Sequence, residues 1–240
     1  MNILLKLAFL FCVGSIIGWG IEVLFRRFVS YGKWINPGFC QGPYLPIYGV
    51  GLTCLYLISM LENVLPFSSI IVLRLSLFAA MAVIMTVIEY IGGLVLLKVY
   101  KIRLWDYTDR WGNIQGLICP LFSLFWTLFG ALYYFLVNPR ILSWLEWLSR
   151  NLAFSFFIGV FYGVFILDFI KSADMVDKMK RFAEEKGIVI RVEHLKIHMR
   201  EVESKLESKT PFIFHFRSPA AVLEHLKNAK EAWETEKTAK

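Results

Sequence analysis

The residues of greatest chemical consequence in this chain are acids set among apolar neighbours. Glu89 stands inside the apolar run 69–97. A carboxylate at membrane depth costs roughly 2.5–3.5 kcal/mol on insertion scales, so chains that keep one usually aim it into a helix bundle or a wet cavity and use it there. With Lys98 and Tyr100 at the cytosolic helix end, Glu89 lies about 13 Å inside, and Arg74 about 22 Å further the other way, out of reach. Another helix, or water, must therefore satisfy Glu89. Glu22 follows Gly14 and Gly18 at four-residue steps, which puts it at the end of a small-residue stripe. Thr86, Glu89 and Gly93 share a face in the same way. Both carboxylates are expected to face the bundle interior. Plainer readings stand beside these: Glu22 paired with Arg26 one turn later, and Glu89 in a structural hydrogen bond to a neighbouring helix or loop.

The elements that must hold these groups are membrane helices. A chain that is 57% hydrophobic and 16% aromatic, with a mean hydropathy of +0.57, is not an ordinary soluble globule. Five spanning helices are expected, near 2–24, 44–62, 69–98, 115–137 and 151–171. The fold class is an all-α integral membrane protein with a C-terminal cytosolic helical tail. The division is 1–171 for the membrane domain and 172–240 for the tail. Net charge is +4 over residues 1–170 and +3 over 171–240. Lys and Arg concentrate in the loops after the first helix (Arg26, Arg27, Lys33) and the third (Lys98, Lys101, Arg103, Arg110). This predicts the N-terminus outside, with both basic loops and the tail in the cytosol. The first apolar run has a single early Lys6 and no small-x-small cleavage pattern, so it reads as an uncleaved spanning helix. Cys12, Cys40, Cys54 and Cys119 lack CxxC pairing, and reduced thiols are expected, with neither disulfide nor metal cluster. No His falls in a spanning segment, and no cofactor is expected.

Two cytosolic loops carry the remaining polar and aromatic signals. The first, 31–49, is crowded with glycine and proline and must hold specific turns. In it Pro43 and Pro46 suit a first helical turn or an unwound stretch. In the second, 104–120, Trp105, Tyr107 and Trp111 suit the headgroup level, and Asp106, Asp109 and Arg110 supply both signs of charge. The halves echo each other: a Glu near the inner end of a helix (Glu22, Glu89), a basic aromatic loop, then Asn, Gly and Pro, with Asn36 to Pro43 and Asn113 to Pro120 at equal spacing. That pattern suits a parallel internal repeat.

The string Gly18-Trp19-x-x-Glu22, Asn36-x-Gly38, Gly42-Pro43-x-x-Pro46-Ile-Tyr48-Gly49, Glu89, Leu104-Trp105-Asp106-Tyr107 and Asn113-x-x-Gly116-x-Ile-Cys-Pro120 resembles the putative ABC-transporter type IV (CmpB-like) family of bacterial membrane proteins. The resemblance spans roughly residues 10–130. It implies a multi-pass protein of the bacterial plasma membrane with a permease role. The residues themselves give Glu89, Glu22, Trp19, Asn36, Asn113 and Asp106 as candidates for a buried polar or substrate-path set, and Trp105, Tyr107, Gly42, Pro43, Pro46 and Tyr48 as loop motif. Pro37 stands where the family is expected to carry Arg, so no anion-contacting role is carried over there. The sequence holds no G-x-x-x-x-G-K-[ST] loop, so ATP hydrolysis would need a separate partner subunit.

In the tail, 174–186 reads as a charged helix closed by Gly187. Val192, Leu195, Met199, Val202 and Leu206 then follow heptad spacing. Phe212, Phe214 and Phe216 alternate like an edge strand, and Ser218-Pro219 opens a last helix to about Trp233. The tail suits docking or oligomerisation, or a helical segment packed on itself or on the membrane surface. His194 and His198 have zinc spacing but no third ligand, and read as a solvated face.

Three functional classes follow. The first is a permease or transporter component for a small polar or charged solute, acting with the bilayer and as a homo-oligomer or with a partner subunit; nucleic acid is not among its partners. The second is an inner-face membrane enzyme acting on a lipid or headgroup, with Glu89, Asp106 and Asn113 as base and polar contacts. The third is a scaffold or sensor that recruits cytosolic proteins through the tail.

Overall fold

The computed structural model describes residues 2–30, 32–66, 69–192 and 195–197. Met199, Val202, Leu206, the phenylalanine strand, the last helix, His194 and His198 lie outside the described residues. The chain is mostly helical. In order come α1 (Ile3–Phe25) with a π-helical turn Arg26–Ser30, α2 (Pro46–Met60), α3 (Ile70–Tyr100), β1 (Ile102–Arg103), α4 (Pro120–Leu132), α5 (Asn138–Arg150), α6 (Ser155–Lys186) and β2 (Ile190–Arg191).

Among the described residues, four helical stretches are long and apolar enough to cross a membrane: Ile3–Ser30, Ile70–Tyr100, Pro120–Arg150 and Leu152–Glu185. The other expected span is α2, whose 15 residues reach only about 22 Å against a hydrocarbon core of about 30 Å. It starts two residues later and ends two residues earlier than expected, passing into a 3-10 turn Leu61–Asn63. Leu45, extended, precedes Pro46 at the first helical position, and the Leu45 N–H donates 2.9 Å to the carbonyl of Ser15, midway along α1. The fourth helix also departs from expectation, starting at Pro120 rather than near 115 and continuing into α5 through a π-helical turn Tyr133–Val137. Pro139 lacks the N–H that would bond the carbonyl four residues back, and the wider turn absorbs that loss. The buried Ile141, Leu145 and Leu148 hold α5 in place. At the other end, α6 runs through 171–174 without interruption. Gly187 (φ +63) ends it, with Ile188 N–H on the Ala183 carbonyl at 3.0 Å, a left-handed cap.

The chain divides into two compact units. The first comprises Met1–Gly18, Tyr44–Gly92 and Asp106–Val164. Its core gathers Leu10, Leu55, Ile58, Leu73, Leu77, Met81, Met85, Tyr133, Ile141 and Leu145. Close approach sets the α1–α2 pairing: a Cβ on Gly49 would collide with Ser15 Oγ and sit 2.6 Å from the Phe11 carbonyl, while one on Gly18 would collide with the Tyr48 ring. The second unit comprises Trp19–Pro43, Gly93–Trp105 and Phe165–Lys240. Its core packs Met175, Val176, Met179, Phe182 and Ala183 of α6 with Ile102, Ile190, Val192 and Leu195. There β1 and β2 pair in parallel, Ile102 beside Ile190.

Gly49→Ala is expected to cost about 1–3 kcal/mol through overpacking against α1 backbone. Gly20→Ala, which meets nothing within 4 Å, should be neutral or slightly stabilising. Thermal unfolding of the two variants in detergent checks this; equal midpoints would contradict the close-packed α1–α2 contact.

Candidate functional site

Polar chemistry in the second unit collects on loop 1, the non-helical segment 32–43. Asn36 organises it. Its Nδ2 donates to the carbonyls of Gln41 (2.9 Å) and Cys40 (3.3 Å), and its Oδ1 accepts the Trp19 indole N–H at 2.7 Å. Asp168 on α6 holds the next stretch, accepting the backbone N–H of Gly42 at 2.9 Å and of Gln41 at 3.1 Å. Ser172 Oγ donates to the same carboxylate at 3.3 Å. From the tail, Lys196 Nζ donates to the carbonyls of Asn36 (2.7 Å) and Gly38 (2.6 Å). Lys196 is only 3% exposed. Burial, and then the proximity of Arg26, push its ammonium down to about 7, with Cys40 opposing. Burial and Asp168 raise the Cys40 thiol to about 12, with Lys196 opposing, so Cys40 is a protonated, inert thiol at neutral pH. Glu22 pairs with Arg26 at 3.0 Å across one helical turn.

In the first unit the centre is Glu89. It is 6% exposed. Tyr107 Oη donates to Oε1 and Trp126 Nε1 to Oε2, each at 2.9 Å. Two neutral donors, from loop 2 (the segment 104–119 between β1 and α4) and from α4, thus hold this carboxylate. Tyr107 is fixed in turn by stacking on Phe122, with centroids 4.4 Å apart. Its backbone N–H bonds the Gly116 carbonyl at 2.8 Å. The rest of loop 2 folds on itself: Asn113 Nδ2 donates to the Arg110 and Thr108 carbonyls, its Oδ1 accepts the Gly116 N–H, and Asp106 Oδ1 accepts the Thr108 N–H at 3.1 Å. Beside Glu89, Thr86 Oγ1 donates to Ser123 Oγ at 3.2 Å. Arg74 lies over the Tyr134 and Phe135 rings instead.

The expected residues therefore fall into separate groups. Trp19, Asn36 and Gly42 meet in loop 1. Glu89 and Tyr107 meet directly. Asn113 and Asp106 shape loop 2 from within and make no hydrogen bond to Glu89. Pro46 opens α2, Tyr48 packs against Gly18, Pro43 is exposed and Trp105 is half-buried. The two Asn residues do not play matching roles, so the echo between the halves stops at the sequence. Asp168, Lys196 and Trp126 are the participants that sequence reasoning missed. For Asp168 the signal was present: an acid in the apolar run 156–170, the same anomaly as Glu89. Lys196 carried none, being one cation among many in a charged tail.

Four stretches long and apolar enough to span, with non-helical backbone tied down by buried charges, define a polytopic helical membrane protein. The sequence profile of the putative ABC-transporter type IV family matches residues 9–173, and the chain belongs to that family. No curated protein and no solved structure matches it.

Because the seated Lys196 ammonium is depressed to about 7 from 10.5, the seated tail binds fewer protons than the unseated one between those values. Seating should therefore strengthen as pH rises from about 7. Among the described residues, Arg26 and Cys40 act on it, Asp168 acts on Cys40, and Glu22 pairs with Arg26. Hydrogen exchange at the Ile190 amide, which bonds Lys101 O, should slow from pH 6 to pH 9 after correction for intrinsic rate. Lys196→Met should flatten that trend; a wild-type profile as flat as the variant's would contradict it.

Proposed function

We propose that this chain is the membrane component of an ABC-type transport system for a small polar or charged solute. The N-terminus lies outside and both basic loops face the cytosol. Family membership supports the transport class. The single observation that carries the reading is the late start of α2 at the level of Ser15, after an irregular loop. Non-helical backbone at membrane depth survives only where protein buries it or where it lines a cavity. Interrupted helices of this kind are how many carriers expose carbonyls and N–H groups to a solute. Loop 1 is accordingly the solute-handling element and Glu89 the charge that locks loop 2. No nucleotide-binding loop occurs in these 240 residues, so a partner chain supplies ATP hydrolysis.

Glu89→Gln isolates the charge. Trp126 can only donate, so the amide oxygen must face it, and the amide NH₂ then faces Tyr107 Oη, which can accept. All three groups stay bonded and the fold persists. In vesicles of the native membrane complemented with each variant and supplied with ATP, uptake of a panel of labelled amines, amino acids and carboxylates is the readout. Glu89→Gln and Asp168→Asn are expected to lower flux of the transported solute by at least about tenfold at unchanged insertion, the loss of roughly 1.4 kcal/mol or more. Unaltered flux in both variants would overturn the reading.

A further inference from the structure

The far end of α1 meets the edge of the bilayer. Its 23 residues reach about 34 Å, slightly more than the hydrocarbon core. The π-helical turn Arg26–Ser30 therefore falls at the headgroup level of the leaflet that meets this end. Two neighbouring cations stand there, and they differ. Arg26 is buried and paired with Glu22. Arg27 makes no ion pair among the described residues: its Nη1 donates to the Gly32 carbonyl, and its guanidinium lies over the Trp34 ring, 5.6 Å from the centroid. A guanidinium carries five N–H donors, so most of them remain for a ligand. Gly32 holds φ +66, a left-handed conformation that a side chain would strain, and this turn brings Trp34 back under Arg27. Residues 19–43 hold Arg26, Arg27 and Lys33 against a single acid, Glu22, so the local charge is positive. Around Arg27 the surface is apolar. Phe28 and Val29 are 74% and 70% exposed, Trp34 is exposed, and Phe28 stands edge-on to Trp34 at 6.3 Å.

We infer that Arg27, Phe28, Val29 and Trp34 form a binding site for an anionic phospholipid, the guanidinium on its phosphate and the three apolar side chains against its glycerol and upper acyl chains. A stacked guanidinium is already oriented, which lowers the cost of pairing its N–H groups with phosphate oxygens. Aromatic rings at this depth suit the headgroup boundary. A free phosphate ion would satisfy the charge but leave Phe28 and Val29 in water, whereas a lipid covers both. A zwitterionic headgroup brings its own ammonium beside the phosphate, and Arg26 and Arg27 repel that cation.

The test uses full-length protein in nanodiscs of equal parts phosphatidylglycerol and phosphatidylcholine. Lipids still bound after gentle release are counted by native mass spectrometry. Wild type should retain phosphatidylglycerol severalfold over phosphatidylcholine. Arg27→Gln should lower that preference by about fivefold, as expected for one juxtamembrane cation. Arg27→Lys, which keeps the charge without the planar fork, should keep part of it. Arg150→Gln removes an exposed cation that pairs with Glu146 on α5 and should leave the preference unchanged. Equal retention of the two lipids by wild type, an unaltered preference in Arg27→Gln, or an equal fall in Arg150→Gln would overturn the site. Displacement of phosphatidylglycerol by inorganic phosphate at constant ionic strength would mark a free-anion site and overturn it too. Photo-crosslinking of wild type guards against a variant that does not fold. Diazirine-bearing phosphatidylglycerol should place a severalfold larger share of its adducts on residues 27–34 than diazirine-bearing phosphatidylcholine does, and equal shares would again overturn the site.

Discussion

Backbone polar groups that have left the helical ladder, and cannot reach water, must find partners inside the protein. Each unsatisfied one costs about as much as a lost buried hydrogen bond, on the order of 1–3 kcal/mol. Loop 1 exposes a run of such groups alongside α1, and three side chains meet them from three directions: Asn36 from within the loop, Asp168 from α6 and Lys196 from the tail. The short α2, the burial of Cys40 and Asn36, and the entry of a tail lysine into a membrane protein's loop are consequences of that single requirement.

Loop 2 meets its requirement differently. Its turn is closed by its own Asn113 and Asp106, so its backbone is largely self-sufficient. What it exports is one phenol, which reaches Glu89 together with the Trp126 indole. Glu89 accepts hydrogen bonds from two neutral donors, whereas Glu22 is in an ion pair with Arg26. The two acids first singled out are therefore unlike: Glu22 closes a local pair on α1, whereas Glu89 ties a loop to two helices.

Much of the frame was legible in the residues. Apolar runs marked the long helices, and Pro46 was among the residues suited to the first turn of α2, whereas the start of α4 at Pro120 was placed about five residues too early. Gly187 marked the end of α6 because only a left-handed turn stops a helix that way. The interior direction of Glu89 followed from the face it shares with Thr86 and Gly93. Depth was not legible. Glycine and proline in loop 1 announce turns, but a sequence does not state whether turns sit at a surface or are buried, as Asn36 and Cys40 are. Long-range pairings were hidden for the same reason. Asp168 stands out as an acid in an apolar run, but the sequence does not state that its hydrogen bonds reach more than a hundred residues back. Pro139 reads as a helix stop, yet a widened turn accommodates it.

The account stands or falls on the Asn36 and Cys40 part of loop 1 being buried, and Cys40 is a native reporter of that. In a variant whose Cys12, Cys54 and Cys119 are replaced by serine, Cys40 should resist a charged methanethiosulfonate reagent applied to either side of membrane vesicles. A cysteine placed at the 87%-exposed Trp111 should react quickly under the same conditions. Labelling of Cys40 at a rate like that of the exposed position would contradict the account, because a thiol open to a charged reagent cannot belong to a backbone shut away from water.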